Sequence, residues 1–155
     1  MNIEHPSNLR FQCIKCAICC GDTSQKTRHI LLLNTEAQQI AETSAQPITN
    51  FAQKTNKIPY IYEMKKTAKE GKCVFLKNNR CTIYPQRPLI CRFYPFQLTT
   101  TPNGKHQFHF TMECPGINKG KPLPEAYFRK MLRLAREKHR QNANPNQSEA
   151  SGKAV

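Results

Sequence analysis

The cysteines constrain this chain before anything else does. Cys13, Cys16 and Cys19 follow one another at three-residue steps, Cys20 stands directly beside the last of them, and Cys73, Cys81, Cys91 and Cys114 are spread along the sequence behind. Short steps of this kind let one loop present several sulfurs to a single metal site. A site completed by the four remote cysteines would tie distant parts of the chain together, so binding and folding would be one event.

The spacing speaks for metal and leaves its identity open. Bacterial-type ferredoxin loops use it to grip three corners of a cubane, and Cys-x2-Cys knuckles also hold zinc. Cys114-Pro115 has the form of the remote cysteine that completes a cubane, with Cys73, Cys81 and Cys91 as competitors. Cys19 and Cys20 are adjacent and are expected to point apart, so that one serves a first site while the other serves a second or stays free; a vicinal disulfide is strained. One of the two is therefore expected to be expendable, whereas Cys91 is expected to be essential. Disulfides and buried inert thiols are the other uses to which eight cysteines are put.

Composition favours the metal reading. With 155 residues, no tryptophan and 38% hydrophobic residues, the core is small and needs a staple. The opening segment MNIEHPSNLRF lacks the apolar stretch of a secretory signal, and the longest aliphatic run, Ile30 to Leu33, is far too short to span a membrane. The expectation is a cytoplasmic protein whose thiols stay reduced. The formal charge is +14; four thiolates on zinc or on an oxidised 4Fe–4S cluster leave a net −2, so one or two sites bring it to about +12 or about +10. Such a surface suits an acidic partner, whether nucleic acid, anionic lipid or protein.

Along the chain, His29 to Leu33 reads as a short buried strand. A helix is expected from Thr35, with Gln38 completing a capping box, up to Pro47, and a second short helix near Thr49. Cys73 to Leu76 and Cys81 to Tyr84 flank Lys77-Asn78-Asn79-Arg80 as a hairpin, and Asn103-Gly104 before Phe108 and Phe110 marks another. Between the hairpins, Pro85, Pro88 and Pro95 stiffen the segment around Cys91. Pro124 to Arg140 is helical, with Tyr127, Phe128, Met131, Leu132, Leu134 and Ala135 on one side and a basic face on the other. The fold class is α+β: a small metal-organised single domain with short β-hairpins and a few helices. Residues 1–123 form its cysteine-cluster part, 124–140 a basic amphipathic helix packed on it, and 141–155 a disordered tail.

FQCIKCAICC near the start, the block CVFLKNNRCTIYPQRPLICRFYPF and the later CPGINKGK together resemble the CxxCxxCC family of zinc- or iron-chelating proteins, the YkgJ type. The resemblance spans about residues 11–123 and finds all eight cysteines in place; Ala17 stands where many members carry glycine. It implies metal binding by Cys13, Cys16, Cys19, Cys20, Cys73, Cys81, Cys91 and Cys114. Some larger relatives are protein lysine methylases with an iron–sulfur cluster, which favours iron, and 4Fe–4S in particular, over zinc. No methyl-donor site is recognisable here.

Around the cysteines, Arg87 and Arg92 bracket Cys91 and are candidates to hydrogen-bond anionic sulfur, or else to pair with Glu63 or Glu113. His29 lies near the knuckle, while His106 and His109 fall on opposite strand faces and make a poor chelate. Phe75, Tyr84, Phe93, Tyr94 and Phe96 read as core. Gly116, Gly120 and Lys119 between them lack a phosphate-loop pattern and read as a tight turn after Cys114. No catalytic constellation is legible beyond the cysteines, and the reading leans away from an enzyme. The expected function is a metal-binding, iron–sulfur protein with a redox, metal-handling or accessory role. The alternative is a zinc-stapled module whose basic C-terminal helix binds nucleic acid or an acidic protein.

Overall fold

The apolar stripe of the C-terminal helix shows how one half of the protein is built. The structure, a computed structural model, describes residues 2–143, and the expected tail falls outside these except for its first three residues. In it, α4 runs over Glu125–Ala143 and so continues past Arg140. Phe128, Met131, Leu132 and Ala135, spaced three and four apart, are buried against a hairpin of β8 (Phe96–Thr100) and β9 (His106–Phe110). Phe128 is 0% exposed and packs on Phe96, Phe108, Tyr127 and His5. At the hairpin tip Gly104 takes φ +81°, which suits glycine. The N-terminal strand β1 (Ile3–Glu4) adds to the free side of β9 in parallel, giving the order β1-β9-β8.

A second apolar cluster forms on the cysteine side. Here α1 (Asn34–Ser44), α2 (Ile48–Phe51) and the antiparallel strands β3 (Leu31–Leu32), β5 (Tyr62–Met64) and β4 (Ala52–Lys54) bury Ile30, Leu32, Ile40, Phe51 and Met64 around Phe75 and Cys73. The helix α1 begins one residue earlier than Thr35, and its box is closed by Glu36 rather than Gln38: Glu36 Oε2 accepts the Leu33 N–H at 3.0 Å. The 77–80 hairpin is short, with β6 (Leu76–Lys77) paired to β7 (Arg80–Cys81) through Asn78 and Asn79, both at positive φ as a type I′ turn needs.

The two clusters meet at α3 (Leu89–Phe93), one short helical turn inside the proline-rich segment. Leu89 and Phe93 pack into the aromatic cluster, while Ile90 and Cys91 face the other one. The remaining pairing joins β2 (Arg10–Phe11) to β10 (Ile117–Pro122) and holds the chain entering the knuckle against the chain leaving Cys114. The architecture is thus α+β, four helices with small sheets and hairpins, as expected.

Candidate metal centre

None of the eight cysteines is in a disulfide, and the fold sorts them into two sets. Cys19 and Cys20 close a 3₁₀ turn (Ile18–Cys20). The Cys20 carbonyl accepts the Cys73 N–H at 2.6 Å, and Gly21 bridges to Lys72. That approach requires glycine, since a Cβ on Gly21 would stand 2.5 Å from the Gly71 carbonyl oxygen. Cys81 follows on the 77–80 hairpin and Cys91 on α3, and both pack on the same apolar cluster as Cys20 and Cys73. Electrostatics link these five thiols: Cys91 feels Cys19, Cys73 and Cys81, and Cys20 feels Cys19, Cys91 and Cys73. We call them the inner set.

Cys13, Cys16 and Cys114 form the outer set. The Gln12 N–H donates to the Gly116 carbonyl at 3.1 Å, and a Cβ on Gly116 would stand 2.4 Å from the Gln12 carbonyl oxygen. The turn after Cys114 is therefore pressed against the start of the knuckle, which accounts for Gly116 without any phosphate. Cys114 is buried and feels Cys16 and Cys13, whereas those two are exposed.

The backbone around these sulfurs favours thiolates. Cys13 Sγ accepts the Lys15 N–H at 3.4 Å, with Lys15 and Ala17 at positive φ. The amides of Phe75 and Leu76 are turned to Cys73, that of Ile83 to Cys81, and those of Gly116 and Ile117 to Cys114. At all four positions an amide two residues on faces the sulfur, the local geometry that orients a ligating thiolate. Burial acts the other way: it pushes the Cys73, Cys81, Cys91 and Cys114 thiols above the ordinary value of 9.0, Cys91 most strongly. Cys19 is the exception. The Cys20 thiol, with its sulfur 4.0 Å away, donates to it and, helped by Arg28 and Arg87, lowers it to about 6, while Cys20 itself is raised. The vicinal sulfurs thus face the same set instead of pointing apart. Their separation is near the edge of about 3.8 Å expected for two thiolates on one tetrahedral ion with bonds of about 2.3 Å.

Two side chains that the sequence did not single out lie between the sets. Arg28 donates from Nε to the Cys19 carbonyl at 3.2 Å, and its guanidinium carbon lies 5.1 Å over the Tyr94 ring. Arg28 is held by its own backbone, whose N–H goes to Asp22 at 2.7 Å and whose carbonyl accepts from Lys66 at 2.9 Å. Arg28 faces Cys19 and Cys91; Tyr94 faces Cys114 and Cys19. Both Arg28 Nη2 and the Tyr94 hydroxyl are buried without a hydrogen-bond partner. Buried donors left unpaired are costly, and thiolate sulfur or a sulfide is an acceptor that would satisfy them. The donor set and these orphaned donors fit a thiolate-bound zinc ion or iron–sulfur cluster. As they stand, no three metal-binding side chains among the described residues close around a point, so the sulfurs are gathered in sets rather than fixed in coordination geometry.

Of the expected auxiliary residues, Arg92 donates to the carbonyls of Arg87 and Pro85, at 3.1 and 2.6 Å, and braces the loop before Cys91. Arg87 stacks on Tyr84 at 3.7 Å and contributes charge toward Cys19 and Cys81. His29 is bonded to Glu63 at 2.6 Å, and His106 and His109 to Thr100 and Thr99. Phe75, Phe93 and Phe96 are buried, while Tyr84 is 51% exposed. Glu36, also missed, reaches α3: its Oε1 accepts the Leu89 N–H at 2.7 Å and thereby sets the start of the turn that carries Cys91.

The sequence profile described as CxxCxxCC, "putative zinc- or iron-chelating domain", matches residues 12–122. Among curated proteins, the uncharacterized protein MJ0661 of Methanocaldococcus jannaschii is 31% identical over 130 residues, 79% of this chain and 67% of its own length. The uncharacterized protein MJ0939 of the same organism is 29% identical over 118 residues, 73% of this chain but only 39% of its own length. No solved structure matches the chain. The matched segment contains all eight cysteines and both of their sets, and the chain belongs to the CxxCxxCC family of zinc- or iron-chelating domains.

Proposed function

We propose that this protein carries an iron–sulfur cluster, 4Fe–4S, on its cysteines and serves as a redox, metal-handling or accessory factor in a reducing compartment, the cytoplasm. The observation that carries the reading is the repeated amide-to-sulfur geometry at Cys13, Cys73, Cys81 and Cys114. A buried thiol kept as an inert apolar group has no use for an amide aimed at its sulfur; a thiolate ligand does. Arg28 and Tyr94 supply further donors to anionic sulfur, a means by which proteins adjust cluster potentials. Protein prepared without oxygen should be brown, with iron and acid-labile sulfide in equal amounts. Colourless protein with stoichiometric zinc and no sulfide, even after iron-rich anaerobic expression, overturns the iron–sulfur reading and leaves thiolate metal binding in place.

One observation favours the second reading, a zinc-stapled module with a basic docking face. On α4, Arg129 pairs with Glu125 and Arg140 with Glu137, but Lys130, Arg133 and Arg136 have no acidic partner among the described residues. No helix of the described residues is long and apolar enough to cross a membrane. If that face binds nucleic acid, single-stranded RNA followed by fluorescence anisotropy should bind at low salt and release steeply as salt rises. Absence of binding at low salt removes this reading.

A further inference from the structure

We propose that the free edge of β8 is a docking site for an acidic partner segment, which adds to the sheet as an extended strand beside Leu98 and Thr100. This docking is independent of the metal that the cysteines hold.

β8 stands at the end of the order β1-β9-β8, so one of its sides has no strand partner among the described residues. The register with β9 shows which groups that side presents. The Thr111 N–H donates to the Pro95 carbonyl at 3.1 Å and the Thr101 N–H to the Lys105 carbonyl at 2.9 Å, at the two ends of the pairing of Phe96–Thr100 with His106–Phe110. Antiparallel ladders alternate, so the residues bonded toward β9 are Pro95, Gln97, Thr99 and Thr101. The N–H and C=O groups of Phe96, Leu98 and Thr100 point the other way, and no backbone group bonds to them there among the described residues. Phe96 is buried, Leu98 half-buried and Thr100 exposed, so the accessible end is the one at Leu98 and Thr100. Natural edge strands are blunted by a lysine, a proline or a bulge. The strand Phe-Gln-Leu-Thr-Thr has none of these, and its register with β9 is unbroken.

A groove of about 420 Å³ runs beside this strand, within the roughly 300–1,000 Å³ of ligand-binding clefts. Gln97 and Thr99 from one face of the sheet and Phe96 and Leu98 from the other all line it, so the groove follows the edge rather than a face. Leu89, Ile90 and Phe93 of α3 line it as well, an apolar bed for alternate side chains of an added strand.

Charge selects the partner. Lys26 and Arg28 line the groove, neither forms an ion pair among the described residues, and no aspartate or glutamate lines it. The buried Glu36 carboxylate of α1 is turned to the Leu33 and Leu89 amides. An extended segment rich in carboxylates therefore fits better than a second copy of this chain, whose formal charge is +14.

The test uses the full-length, isotope-labelled protein with two probes, a heptapeptide of alternating valine and glutamate and one of alternating valine and lysine. When the acidic peptide binds, amide hydrogen exchange read by NMR should slow at Leu98 and Thr100, while Gln97 and Thr99, already bonded to β9, stay unchanged. Lys26→Glu should weaken this binding by roughly fivefold, the effect of reversing one exposed charge of a pair. The lysine peptide should not bind. Binding of the acidic peptide without slower exchange at Leu98 and Thr100, as when it lies on the cations of α4, overturns the edge site. Equal binding of both peptides overturns the acidic partner. Slower exchange at these two amides with single-stranded RNA, and not with the peptide, gives the groove to nucleic acid. Slow exchange there in the free protein, with a dimer in sedimentation, gives the edge to a second copy. No binding of the acidic peptide at low salt overturns the proposal outright.

Discussion

Cys91 and Cys13 belong to one family cysteine pattern but are held by opposite means. Cys91 stands on a helical turn wedged between two apolar clusters, with Leu89 fixed by the buried Glu36 carboxylate and Arg92 bracing the loop before it. Cys13 stands on an exposed loop, next to the Gln12–Gly116 hydrogen bond, with the Lys15 N–H on its sulfur and Lys15 and Ala17 at positive φ. Cys91 is placed by packing on both of its sides, whereas Cys13 sits on an exposed loop beside a single clamp, the β2–β10 pairing and the Gln12–Gly116 hydrogen bond. Packing couples a ligand to global stability, whereas a surface knuckle can lose its ion with little effect on the rest.

The largest effect should separate these two residues. Cys91→Ser is expected to cost metal and fold together, with Tm falling by about 10 °C or more, since a loss of about 3–5 kcal/mol acts on a chain of this size at roughly 3 °C per kcal/mol. Cys13→Ser should reduce metal content as well while shifting Tm by less than about 3 °C. Calorimetry with metal analysis on both variants checks this, and equal shifts in Tm would erase the contrast.

Glu36→Ala comes next. It strands the buried Leu33 and Leu89 amides and is expected to cost about 2–4 kcal/mol, measured by urea unfolding. Its metal loss should be confined to the inner set.

The metal-free protein should then show the contrast in its pH dependence. Burial raises the Cys73, Cys81 and Cys91 thiols above 9.0, so at these positions the unfolded chain ionises first as pH climbs. A raised folded pKa gives stability that is intact below pH 9 and lost above it, at up to about 1.4 kcal/mol per pH unit for each thiol. Thermal melts from pH 7 to 10.5 should decline past pH 9 for the apo wild type and decline less for apo Cys91→Ser.

The smallest expected change is a gain. Ala17 sits at φ 64°, ψ 11° at the head of the turn that links the two sets. Left-handed geometry costs an alanine about 1–2 kcal/mol, part of which glycine returns as extra freedom in the unfolded chain. Ala17→Gly should therefore stabilise by about 0.5–1 kcal/mol in chemical denaturation, and a loss instead would mean that the knuckle is not held in this conformation.

The parts written in local sequence were legible. Asn78-Asn79 and Asn103-Gly104 marked their turns, the apolar spacing of residues 127–135 marked α4, and the eight cysteines announced their chemistry. The turn carrying Cys91 was not legible, because three prolines argue for extended chain and a five-residue helix leaves no periodicity to read. Glu36 looked like an ordinary first-turn acid; its bond to Leu89 spans more than half of the cysteine region and exists only in the fold. Arg28 was one arginine among many cations, and its place beside Tyr94 follows from Asp22 and Lys66 anchoring its backbone. The approach of Cys114 to the knuckle was hidden for the same reason, since it follows from the pairing of residues 10–11 with 117–122.

The β2–β10 clamp also sets an order of assembly. Every inner cysteine lies between residues 19 and 91, but the outer set needs residue 114, and the strand that clamps it ends at Pro122. During synthesis the chain emerges from its N-terminus, and pairings between distant segments wait for the later segment to appear. Cys13 and Cys16 thus leave the ribosome early and wait for Cys114 until most of the protein has been translated, while Cys19 can already meet Cys73, Cys81 and Cys91. Closure is therefore ordered along the chain: the inner cysteines can gather on the nascent polypeptide, and the outer ones only as the last strand pairs.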